Sequence, residues 1–145
     1  MKKFKLTSEF IVDISGVKLF RIKALIEFGN VKAGDLGGYI EKEENLSHMG
    51  DAWVSDDARI SGNAQVFGDA WVSGDKDYAY AHGFGSCNRT TTFFRLKDGD
   101  VGVRCGCFYG TLAQFRDKVC ETHGETKKAQ EYLMLADLME IRFKN

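Results

Sequence analysis

Apolar residues recur along this chain with three different periods, and each period marks a different region. Over residues 3–28 they alternate. Phe4, Leu6, Phe10 and Val12 lie in one arm, Ser15-Gly16 follows, and Phe20, Ile22, Ala24, Ile26 and Phe28 share one face of a second arm. Alternation around a glycine-containing turn predicts a β-hairpin. Near the other end the spacing becomes helical. Leu112, Phe115 and Val119 form one stripe, and Ala129, Tyr132, Leu133, Ala136, Met139 and Phe143 form another over about 126–143. Thr111 with Gln114 makes a capping box for the first of these helices, and Gly124 ends it. Ahead of them, 89–97 and 101–110 flank Asp98-Gly99 and predict a second hairpin. The stretch 76–88, rich in glycine and aromatics, reads as a connector.

The third period is six. GDAWVS occurs at 50–55 and again at 68–73, and between them the chain runs in hexads, AWVSDD, ARISGN, AQVFGD, AWVSGD. Val54, Ile60, Val66 and Val72 occupy the aliphatic position, with Ala52, Ala58, Ala64 and Ala70 two residues earlier. An amphipathic helix does not repeat at six, and a hairpin strand is not broken every six residues by Gly, Asn or Asp. These hexads resemble the hexapeptide-repeat, left-handed parallel β-helix. That resemblance implies a triangular coil of three hexamers per turn, with residues 18 apart stacked at roughly the 4.8 Å strand spacing. Carried backward by 18, the register places Leu36 under Val54 and Val72, and Ile40 and Leu46 under Ala58 and Ala64. An irregular first turn over roughly 34–51 is then expected, as terminal repeats cap the stack. The fold expectation is α+β and mostly β: an N-terminal hairpin cap (1–33), a short β-helix (34–75) and a ββαα lobe (76–145).

Composition narrows the setting. The chain has 145 residues, a net charge of −1, 16 glycines and no proline, so its tight turns fall to Gly, Asn and Asp. The balanced charge gives no sign of DNA or RNA binding. With neither an apolar leader nor an 18-residue apolar run, the expectation is a cytoplasmic chain with reduced cysteines and no membrane contact.

Four groups could carry chemistry. Strand alternation points Trp53 and Trp71 outward as a stacked pair, with Arg59 and Gln65 at the matching positions of the other two faces. The pair is either a homo-oligomer interface, as a trimer or dimer, or a ligand-stacking surface, or is covered by the chain's own elements. Arg89, Thr91, Phe93 and Arg95 alternate onto one strand face, which Arg104 could join; that face is either a phosphate grip or a solvated surface with structural ion pairs. Cys87, Cys105, Cys107 and Cys120-x-x-His123 lack zinc-knuckle spacing and read as packing groups, so neither metal nor cofactor is expected. Among His48, His82 and His123, His82 is the candidate base for the alternative that the β-helix resemblance brings, a small acyltransferase.

A second resemblance covers nearly the whole chain. Its residues are LFRIKAL (19–25), GDLGGYI (34–40), NRTTT (88–92) and CGCF (105–108). Together these are similar to small proteins carried by bacteriophages and prophages. The resemblance brings no catalytic residues. It implies an accessory, non-enzymatic binding protein that captures a host defence factor or a nucleotide signal; a purely structural, self-assembling role is the third alternative.

Overall fold

In the computed structural model, which describes residues 2–84, 89–105 and 108–144, the alternating N-terminal segment forms the expected hairpin. β1 (Phe4–Val12) pairs antiparallel with β2 (Lys18–Ala24), and Gly16 closes the turn at φ +89°. The outer edge of β2 takes β3 (Leu36–Ile40), with Phe20 opposite Ile40. The hairpin therefore continues into the hexad region through one sheet.

In the hexads the strands shorten and become parallel. β3 pairs with β5 (Arg59–Ile60), Leu46 bridges Val66, and β4 (Trp53–Val54) pairs with β6 (Trp71–Val72). All four alanines and all four aliphatic residues of the repeat are buried. The corners fall at Gly50, Asp56, Gly62 and Gly68, every one at positive φ. At the next sixth residue, Gly74 is extended at φ −163°, and the repeat stops there. Period six therefore fixes the corners as well as the core.

The first turn departs from the expected register. Trp53 and Trp71 stack at an offset of 18, but Tyr39 with Arg59, and Leu46 with Val66, stack at 20. Two additional residues lie between Leu46 and Val54. Leu36 consequently sits opposite Lys23, 56% exposed, and not beneath Val54 and Val72. Ile40 and Leu46 take the aliphatic positions instead, under Ile60 and Val66. The enlarged loop is tied to the hairpin. His48 stacks on Phe4 with ring centroids 4.2 Å apart and accepts the Lys3 backbone N–H at Nδ1. Lys3 Nζ donates to the Ala52 carbonyl at 2.6 Å and lies over the Phe28 ring. Burial pushes this ammonium down from 10.5 to about 8; Asp51 opposes that shift and Lys97 adds to it.

The C-terminal lobe is larger than a hairpin. β7 (Tyr78–Phe84), β8 (Arg89–Arg95), β9 (Val101–Cys105) and β10 (Phe108–Thr111) form an antiparallel sheet in the order β10-β9-β8-β7. The expected connector is thus mostly strand, because Tyr78, Tyr80 and His82 alternate with small residues and pair with β8. The arm expected over 101–110 is two strands, with Cys105 opposite Phe108. α1 (Leu112–His123) and α2 (Lys127–Arg142) follow as predicted, with the Thr111–Gln114 capping box formed and Gly124 at φ +58°. No helix among the described residues is long and apolar enough to cross a membrane.

β8 joins the two halves. Phe94 packs into the core shared by hairpin and coil, while its neighbour Phe93 packs into the core under the helices. Both are fully buried.

Candidate functional site

Of the clefts where the coil meets the C-terminal sheet, two are alike in composition. Each has one aromatic side chain from the hexads and one arginine from the sheet.

The first, of about 400 Å³, is lined by Asn30, Trp71, Ser73, Asp77, Arg95 and Lys97 among others. Trp71 follows Ala70 in the repeat and projects outward from the coil, as strand alternation requires. It is half-buried, and its indole has no ring partner among the described residues. Arg95 ends β8. Its Nε donates to Asp77 Oδ1 at 3.0 Å and its Nη2 to the Phe143 carbonyl at 3.3 Å, which fixes the guanidinium plane. Nη1 keeps no partner among the described residues. Burial raises the Asp77 carboxyl, but the backbone N–H and hydroxyl of Ser73, with Arg95, outweigh it and hold the group below its ordinary range. Lys97 reaches Asp51 at 3.4 Å in a partly exposed pair, a kind that contributes little. Two cations and one carboxylate thus line the cleft with Trp71, which packs in part against the coil core.

The second cleft, of about 260 Å³, holds Arg104 and Phe67. Arg104 projects from β9 opposite Thr92 and lies with its guanidinium carbon 4.4 Å from the Phe67 ring centre.

Several expectations are corrected. Trp53 is 2% exposed, and Phe28 meets it edge-on at 5.3 Å. The chain after β2 folds over this face, so the two tryptophans do not form an exposed ladder. Arg59 is exposed on β5, away from both of them. The five-residue grip does not assemble either. Thr91, Phe93 and Arg95 do share a face, but the helices cover Thr91 and Phe93. Thr91 Oγ1 donates to Cys105 Sγ, and Phe93 meets Phe115 edge-on. Arg104 lies on the opposite face of the sheet, with Nε 3.4 Å from Gln65 Oε1. Arg89 opens β8, and its side chain lies outside the described residues, as do Cys87 and Cys107. No three His, Cys, Asp or Glu side chains among the described residues converge as a metal site would require. His82 is on β7, exposed, and shares a 2.7 Å hydrogen bond with Thr90 Oγ1; no acidic partner to orient it is present among the described residues.

Sequence reasoning missed Asn30, Ser73, Asp77 and Lys97. Ser73 and Asp77 had a visible signal, since both flank the glycine at which the hexads stop. Asn30 and Lys97 come from turns whose approach to the coil depends on tertiary packing. No protein-family model matches this chain, and no curated protein matches it.

Proposed function

We propose that the protein is a non-enzymatic binding protein whose Trp71 cleft captures a small, planar, phosphate-bearing ligand of the nucleotide class. The observation that carries this reading is that half-buried Trp71 lines one cleft together with Arg95, whose Nη1 has no partner among the described residues, and with Lys97. An indole face accepts a base of any identity, a stacking contribution of about 1–3 kcal/mol. The guanidinium, clamped from two sides, loses little freedom when it meets a phosphate. A cleft of about 400 Å³ suits a mononucleotide or one half of a dinucleotide. The likeness to phage and prophage proteins supports an accessory, host-directed role, in which a host nucleotide signal is the natural ligand.

In this proposal the coil winds left-handed, as the hexapeptide-repeat likeness implies, and the protein assembles as a dimer or trimer. Because Trp53 is covered, that assembly does not use a tryptophan ladder. Light scattering reads the mass directly.

Calorimetric titration with cyclic and linear purine nucleotides tests the ligand class. Binding weakened roughly tenfold by Lys97→Ala supports the reading. Heat absent with every nucleotide removes it. Turnover of an acyl-CoA donor that is lost in His82→Ala establishes the acyltransferase alternative instead.

A further inference from the structure

The second cleft differs from the first in its charges. Its cation, Arg104, is positioned but unsatisfied. Phe67 stacks beneath the guanidinium at 4.4 Å and Gln65 Oε1 lies 3.4 Å from Nε. No carboxylate lies within ion-pairing distance of it among the described residues. Glu43 and Glu44, at a 3₁₀ turn, also line the cleft. Glu43 is engaged: Lys2 donates to it at 3.0 Å and holds its carboxyl below the usual range. Its other oxygen stands 3.7 Å from His48 Nε2, a buried atom without a hydrogen-bond partner. Because His48 Nδ1 accepts the Lys3 N–H, the neutral ring carries its proton on Nε2. Glu44 is exposed and has no partner among the described residues.

The cleft thus combines in its lining a guanidinium fork and a carboxylate without a partner among the described residues. A phosphate dianion would satisfy Arg104 but set its charge against Glu43 and Glu44. A simple amine would satisfy Glu44 and be repelled by Arg104. Only a ligand that carries both charges is favourable to both groups. We propose that this cleft binds a zwitterionic α-amino acid, its carboxylate on the Nη atoms of Arg104 and its ammonium on Glu44. The Arg104–Phe67 stack exists before the ligand arrives, so little ordering remains to be done on binding.

The test is an amide-resolved NMR titration of the whole chain with glycine, L-leucine and L-arginine. Acetate, methylamine and inorganic phosphate serve as half-ligand probes. The expected result is a saturable shift of the Gln65 and Arg104 amides with at least one amino acid, at a midpoint at least tenfold below that of any half-ligand. Arg104→Gln and Glu44→Gln should each raise that midpoint roughly tenfold, with the remaining spectrum unchanged as evidence of folding. Trp71→Phe should leave it where it is, which keeps this site independent of the first cleft. Amides unmoved by about 10 mM of all three amino acids overturn the proposal. So does phosphate or acetate binding as tightly as an amino acid, or an Arg104→Gln variant that still binds.

Discussion

The coil and the C-terminal lobe bury their apolar residues by opposite means. The coil stacks alanine and β-branched residues rung on rung, at positions set by corners six residues apart. The lobe packs large aromatics edge to face, Phe93 on Phe115 and Phe115 on Tyr132, with ring planes near perpendicular. The hexads fill their interior with alanine and aliphatic side chains, and strand alternation turns Trp71 and Phe67 outward. Of the lobe's cations, Arg95 stands at the end of β8 and Arg104 on the sheet face turned to the coil. In both clefts the aromatic comes from the coil (Trp71, Phe67) and the cation from the sheet (Arg95, Arg104). In the proposed reading the binding chemistry therefore belongs to the seam, and neither half carries it alone.

The strongest way to break this arrangement is at β8. Phe94→Ala should cost about 3–5 kcal/mol, as for other fully buried aromatics. Because Phe94 plugs the coil core, hydrogen exchange should show the hexad amides losing protection. In Phe93→Ala, of similar total cost, the loss should concentrate in the helices. Identical patterns from the two variants would mean that the halves do not differ as described.

A smaller effect is expected at the corner facing the seam. Gly68→Ala places a β-carbon at φ +67° and into Tyr109, whose hydroxyl accepts the Asp69 N–H. About 1–2 kcal/mol follows from backbone handedness alone, and chemical denaturation reads it. Asp56 is the one non-glycine residue at positive φ among those described. Asp56→Gly should therefore gain up to about 1 kcal/mol, reversing the sign seen at Gly68.

Lys3 supplies a pH-dependent contrast between the enlarged first turn and the regular second. Its pKa is lowered in the fold to about 8 from 10.5, so the unfolded chain binds the more protons between those values. Stability should then rise as pH climbs from about 8 toward 10.5. Below about 8 both states are protonated, and the burial cost of the charge is fully present. Lys3→Met should flatten that rise relative to the parent protein. Parallel pH profiles for the two would show that the ammonium is not buried in solution.

Much of this fold is written locally in the chain. Corner residues, alanines and aliphatic positions announce the coil, and Thr111, Gln114 and Gly124 announce α1. The register of the first turn was also legible. An offset of 20 places Ile60 and Val66 on Ile40 and Leu46, whereas 18 places them on Lys42 and His48. The identical GDAWVS pair marks the regular turn and leaves the enlarged one unmarked. β7 was hidden because its glycines resemble those of a loop, although Tyr78, Tyr80 and His82 keep the period of a strand. The site was legible only in its parts. Strand alternation put Arg95 on the face of Thr91 and Phe93, but it could not show that two helices lie over that face. Nor could it show that Arg104 turns to the coil, since this depends on strand order.

The chain has two tryptophans, one buried and one in the first cleft. Titration of intrinsic fluorescence with a purine nucleotide therefore reads the proposed site almost alone. Saturable quenching that disappears in Trp71→Phe is the expected outcome. Emission that stays constant across the nucleotide panel, or quenching that survives in Trp71→Phe, would contradict the assignment of this seam as the binding site.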